Sequence, residues 1–352
     1  VQEGDVVIVQ TAAAADDKAA PKGGKPQQAA ATTKAYARRA DYDAAAQLLR
    51  LTGSPRVDDG TVALAADAID YHRDTQAAEA VGNVKATYGE TAPASSAGKA
   101  DLSAPAPGLG GSGPTHVIAA NALLDRAHGV AVFRGQARLW QGPNSVAAPV
   151  IELTRSPESL KAYAEPAATD AVTTVLASTS GPQRQATVLR VRSRQMTYTD
   201  ADRKAVFAGA VAADDPSGVV HADQVVALLL PAPAPGQAAP AAAQNPSQIA
   251  SQNPGQAPNQ RPSEGAGRID RILATGHVAL QQPGRRGVGE KLLYTAQDGK
   301  FELTGTPSTP PHLYDHLRGD VSGASLIFNS RDDSVSVSGG QSPAVTNTRT
   351  AK

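Results

Sequence analysis

The chain has 352 residues, with 33 basic and 33 acidic side chains and a formal net charge of zero, so it lacks the basic excess expected of a nucleic-acid binder. It holds four Phe, eight Tyr and one Trp, and alanine supplies much of its apolar fraction, which argues against a conventional compact core. It has no cysteine, which excludes disulfides and thiolate metal sites, and no apolar run of about 18 residues that could form a membrane-spanning helix.

In chain order, the opening VQEGDVVIVQ alternates like a strand and reads as the second half of a repeat unit, with Gly4 in the glycine place. It lacks the basic and apolar regions of a signal peptide, and the expectation is that the natural start, with any signal peptide or anchor, lies upstream. Residues 11–33, 90–114 and 231–267 are rich in Ala, Gly, Pro, Ser, Gln or Asn and read as linkers. Such stretches cannot bury enough apolar area to offset chain entropy. A weaker interruption covers 166–185. Between these stretches an apolar anchor is followed 11 residues later by a glycine: Tyr42/Gly53, Tyr71/Gly82, Leu124/Gly135, Tyr198/Gly209, Tyr294/Gly305 and Phe328/Gly339. From Gly53 to Tyr71, Gly135 to Leu153 and Gly276 to Tyr294 the step is 18, which gives a unit of 29 residues.

Each half of the unit alternates with period 2, the mark of a strand with one buried face. In AVFRGQARL, Phe133, Gly135, Ala137 and Leu139 share one face while Arg134, Gln136 and Arg138 share the other. The polar turns between strands predict antiparallel hairpins, with the long insertions at the solvent-facing ends of the sheet. A glycine recurring at one register predicts a bend or close backbone approach at the same level in every unit. Two such faces packed together predict a jelly-roll or sandwich with a poorly filled interior.

AADAIDYHRDTQAAEAVGNVKATY, VRSRQMTYTDADRKAVFAGAV, RIDRILATGHVALQQPGRRGVGEKLLYTAQDGKFELTG and ASLIFNSRDDSVSVSGG resemble the repeats of the OstA-like (LptA) family of lipopolysaccharide-transport proteins. The resemblance covers about two thirds of the chain. It implies an all-β, antiparallel open β-jelly-roll, here of OstA-like repeats at 1–165 and 186–345, whose sheets enclose a lipid groove. It implies a non-catalytic periplasmic protein that binds lipopolysaccharide or a related lipid and joins other Lpt-type proteins, or copies of itself, by edge-to-edge strand pairing. LptA-, LptC- and LptD-like assignments all stay open.

Acyl chains need a dry, elongated apolar surface, each buried methylene being worth about 0.8 kcal/mol. The candidate seam is Ile69, Tyr71, Val84, Phe133, Leu139, Phe207, Val211, Ile272, Val278, Leu280, Phe301 and Leu303. The bland reading is that these residues fill a sandwich core. Arg285 and Arg286, in an expected hairpin turn, are candidates for a lipid phosphate, although arginines in turns are commonly just solvated. His312 and His316 have a spacing that faces one metal only on a helix, in what reads as a polar loop, so no metal or other cofactor is expected. GLGGSG spells a dinucleotide fingerprint inside a linker, with no strand before it and no helix after it. No nucleophile–base set or carboxylate pair stands out, which argues against an enzyme. The alternative is a structural β-repeat scaffold that binds protein partners through its strand edges without lipid. A carbohydrate-active jelly-roll is disfavoured by the scarcity of aromatics.

Overall fold

The computed structural model describes residues 1–11, 32–60, 62–89, 109, 113–165, 171–180, 185–230, 269–316, 319–329, 334–339 and 344–348. The expected linker 231–267 lies outside them, as do most of 11–33 and 90–114. Every regular element among the described residues is a strand, and all pair antiparallel.

The chain runs out and back between two layers. β1 (Gln2–Thr11) runs out and β2 (Thr32–Asp43) returns. β3 (Leu48–Thr52) and β4 (Arg56–Asp58) run out; β5 (Val62–Ala65) and β6 (Ala68–His72) return. β7 (Ala77–Tyr88) and β8 (Thr115–Asp125) repeat the cycle, as do β9 (Val130–Gln141) and β10 (Asn144–Arg155). Next, β11 (Glu158–Tyr163) and β12 (Val172–Ser180) go out, and β13 (Gln185–Ser193) and β14 (Gln195–Thr199) come back. The pairs β15 (Lys204–Asp215) with β16 (Gly218–Leu229) and β17 (Ile269–Gln282) with β18 (Arg285–Thr295) follow. Finally β19 (Lys300–Thr304) and β20 (His312–Asp315) go out, β21 (Gly319–Ser322) and β22 (Ser325–Asn329) return, and β23 (Val335–Ser338) and β24 (Val345–Thr348) go out.

Ladder partners change halfway along each long strand, which defines the layers. In β10, Val150–Arg155 pairs with β11, whereas Ser145–Ala147 pairs with β12. In β7, Ala77–Val81 takes the β6 side and Lys85–Tyr88 the β5 side. In β18, Lys291–Thr295 pairs with β19 and Arg285–Val288 with β20. The first layer therefore contains β3, β6, β11, β14, β19, β22 and β23, and the second contains β4, β5, β12, β13, β20, β21 and β24. The long strands cross from one layer to the other, and the inner faces share one apolar core, giving the open β-jelly-roll. The stretches 1–165 and 186–345 both contribute to this one ladder.

The crossing is made at the repeated glycines. Gly82 has φ +77° and the next residue, Asn83, has φ +49°; Gly276 has φ +78° and His277 has φ +47°. Two successive left-handed residues add one residue to the outbound strand, so the register slips between Val81 and Val84 and between Thr275 and Val278. The residue facing each bulge holds it: Asn83 donates from Nδ2 to Asp67 Oδ2 at 2.8 Å, and His277 donates from Nδ1 to Asp223 Oδ2 at 2.8 Å. Gly305 and Gly339 fall at the same level, but there the strand breaks rather than bulges.

The His277 pair carries a pH prediction. Its hydrogen bond to Asp223, with the charges of Asp223 and Glu290, raises the imidazole above its ordinary value. The stabilisation is therefore fully present below the unfolded pKa of about 6.5 and fades as pH rises through the raised folded value. The denaturation midpoint of the wild type is expected to fall slightly over that window. His277→Asn, which copies the Asn83 arrangement with a group that does not titrate, is expected to flatten the profile; an unchanged slope would remove His277 as its source.

Three segments differ from expectation. The interruption at 166–185 contains β12, whose Val172, Thr174 and Leu176 are buried. In HLYDH, His312–Asp315 is a strand rather than a loop: Leu313 is buried between the flanking His312 and Tyr314. In the expected linker 90–114, Leu109 is 1% exposed, its carbonyl accepting a hydrogen bond from Asn144 Nδ2 at 2.9 Å, so this part of the insertion enters the interior instead of facing solvent.

Candidate functional site

The alternation of β3 (LLRLT) and β5 (VALA) turns Leu49, Leu51, Val62 and Leu64 toward the space between the layers. Ala35 and Ala78 are small residues among those that face the same space. A cavity results, with its open mouth enclosing about 1050 Å³. Ile69, Tyr71, Leu124 and Val130 line it from the first layer, and Ile8, Val57 and Val62 from the second.

The mouth is polar. The free end of the second layer contributes Gln10, Thr33 and Asp59; that of the first contributes Asp125, Arg126 and Arg155. Asp59 caps its own turn, accepting from the Val62 N–H at 2.7 Å. Asp125 is held by His128, through Nδ1 at 2.7 Å and the backbone N–H at 3.0 Å, which lowers its pKa. Tyr88, at the end of β7, is buried, and its hydroxyl has no hydrogen-bond partner among the described residues; burial, and then Asp59, push its pKa upward.

Of the seam expected from sequence, Ile69 and Tyr71 line this cavity. Phe133, Phe207 and Leu303, from the first layer, and Val84, Leu139, Val211, Val278 and Leu280, from the second, point inward and are buried in the packed core. Ile272 and Phe301 pack against that core while partly exposed. Phe301 stacks between Tyr294 and Phe328, with centroids 4.5 and 4.8 Å away. Arg285 and Arg286 are at the start of β18, far along the chain from the cavity residues. Arg285 Nε donates to Asp315 Oδ2 at 2.9 Å, and Arg286 is exposed opposite Tyr314. No cluster of metal-ligating side chains occurs among the described residues. Sequence reasoning missed Leu49, Leu51, Leu64 and Arg126. The alternation of LLRLT and VALA was the available signal for the leucines; the turn DRAHG gave none for Arg126.

The family model described as "LptA/(LptD N-terminal domain) LPS transport protein" matches residues 3–77 and 190–332, more than half of the chain. Among solved structures, similarity extends to LptH, the LptA-homologous periplasmic component of the lipopolysaccharide transport device of Pseudomonas aeruginosa. The identity is 12% and the TM-score 0.30, with 44% of this chain and 92% of that chain covered. No curated protein matches the chain.

Proposed function

Because the chain belongs to the family of LptA and LptD N-terminal-domain lipopolysaccharide-transport proteins, we propose that it is a non-catalytic periplasmic bridge component that shelters lipopolysaccharide acyl chains between its two β layers. The observation that carries this reading is the apolar cavity lined from both layers. Aliphatic walls favour acyl chains by burial alone and need no directional partner. The other inward residues of the expected seam, from Val84 to Leu303, fill the packed core beyond the cavity rather than lining it.

Edge pairing supplies the contacts to other bridge proteins. β1 pairs on one side only among the described residues, and its Val7 and Val9 are 54% and 56% exposed. Such an edge is a liability in isolation and a template for a partner strand.

A photo-crosslinking side chain at Tyr71 or Val57, with lipopolysaccharide added before irradiation, tests the reading. Lipid adducts are expected at both positions and none at Arg134, which faces solvent. Well-folded protein without adducts at Tyr71 and Val57 would move the assignment to a β-repeat scaffold that binds proteins by its edges.

A further inference from the structure

The outer face of the second layer carries two adjacent cross-strand rows between β7 and β13. Their sequence neighbours, such as Val117, Leu139 and Val191, are buried, so alternation turns both rows to solvent. Across the ladder the first row runs Lys85, Ile118, Arg138, Ala147, Thr173 and Arg192. The second runs Thr87, His116, Trp140, Ser145, Val175 and Arg190. Lys85, Arg138 and Arg192 are exposed, and none of them is in an ion pair among the described residues. No acid stands in either row. Beyond their ends come Asp58, held by Arg56 at 3.5 Å, and Asp214, opposite Arg190. A chain of zero net charge has sorted its charge by face.

An aromatic platform lies among these cations. Thr87 Oγ1 and His116 Nδ1 are 3.1 Å apart, a hydrogen bond that fixes the imidazole. Trp140 stacks on that imidazole, with centroids 5.2 Å apart and planes inclined by 28°. On its other side the ladder neighbour is Ser145, too small to cover an indole, and Trp140 stays partly exposed. We propose that this face binds an extended, carboxylate-bearing polysaccharide, with a sugar ring on Trp140 and carboxylates on Lys85, Arg138 and Arg192. Lys85 and Arg192 are five strand spacings apart, about 24 Å, which suits a polymer lying across the strands. A guanidinium fork takes a carboxylate through two bonds, and a flat indole takes the C–H face of a pyranose. The scarcity of aromatics that argues against a carbohydrate-active enzyme is no bar, since one indole among cations is enough for binding. A membrane surface fits less well, because interfacial binding needs a band of apolar side chains and Ile118 is the one exposed aliphatic in the two rows. The site lies outside the layers and is independent of what occupies the cavity.

Trp140 is the chain's one tryptophan, so its fluorescence reports occupancy of the platform. The full chain is titrated with polygalacturonate, polyglutamate, dextran and phosphatidylglycerol vesicles, and affinities are measured by calorimetry. Polygalacturonate is expected to bind, to shift Trp140 emission and to weaken as salt rises, whereas uncharged dextran should not bind. Trp140→Ala should weaken polygalacturonate about tenfold, the worth of one aromatic stack, and leave polyglutamate unchanged. Trp140→Phe, which keeps a ring, should recover most of that affinity and guards against a destabilised alanine variant. Arg138→Gln combined with Arg192→Gln should weaken polygalacturonate about tenfold or more and flatten its salt dependence. These arginines are exposed, so the double variant should melt with the wild type. Lys291→Gln, at an exposed cation on the first layer, should change nothing. Polyglutamate binding as tightly as polygalacturonate, or an unchanged affinity in Trp140→Ala, would reduce the face to a polyanion site and overturn the glycan. Vesicles bound in place of polygalacturonate would make it a membrane face, and no binding at all would overturn the docking site; neither result touches the groove reading.

Discussion

Gly135→Ala is expected to destabilise the protein by about 3 kcal/mol, as the sum of a backbone term and a packing term. Gly135 has φ +81°, a region that costs an L side chain about 1–2 kcal/mol. A Cβ there would lie 2.6 Å from the Ala120 Cβ on the neighbouring β8. An alanine methyl has no rotamer to escape into, so the two strands would have to part at the bend. They are in register on both sides of it, at Ile118 with Arg138 and Asn121 with Arg134, which resists parting. The double variant Gly135→Ala with Ala120→Gly relieves the clash and leaves the φ strain. A double-mutant cycle in urea should therefore return a favourable coupling of about 1 kcal/mol or more. A single-variant loss below about 0.5 kcal/mol, within the range of ordinary surface changes, would mean that the bend does not require glycine.

That bend is why so much of the fold could be read from the sequence. Each outbound strand must turn from one layer to the other at the same level. In the continuous outbound strands β7, β9, β15 and β17 the requirement for positive φ and no Cβ fixes a glycine there, and the hairpin length fixes its distance from the preceding anchor. The spacing of 11 from Leu124 to Gly135 and from Tyr198 to Gly209 is that geometry written in the chain. Alternation likewise identified the inward residues, as with Phe133 and Leu139. Composition misled where a strand is built of small polar residues. VTTVLASTS resembles a linker, yet its Val172, Thr174 and Leu176 face the core. Local pattern also cannot separate filled interior from empty interior. Leu153 and Ile69 have equally good inward registers, yet Leu153 is sealed in the core and Ile69 borders a cavity. The difference depends on the residues that face them across the layers. Arg126 was illegible for the same reason: a turn arginine ordinarily points to water, and nothing in DRAHG marks this one as bordering the cavity.

The contrast between filled and open interior sets the other large expected effect. Phe133 is fully buried, with Ala122 and Ile151 opposite it on the flanking strands. Phe133→Ala removes a whole ring from a site with little room to collapse, because the strands on either side are held by their ladders. The expected loss is about 3–5 kcal/mol, read as a lower urea midpoint at unchanged slope. Tyr71→Ala makes a comparable truncation at the wall of a space that is already open. It creates little new cavity, so its cost should stay below that of Phe133→Ala by about 2 kcal/mol or more. Its effect on lipid should be the reverse, with adduct formation from a crosslinker at Val57 falling in Tyr71→Ala and persisting in whatever Phe133→Ala protein remains folded. Equal stability losses at the two positions would show that the N-terminal interior is as tightly filled as the middle. The cavity would then be no place for an acyl chain, and the scaffold reading would take its place.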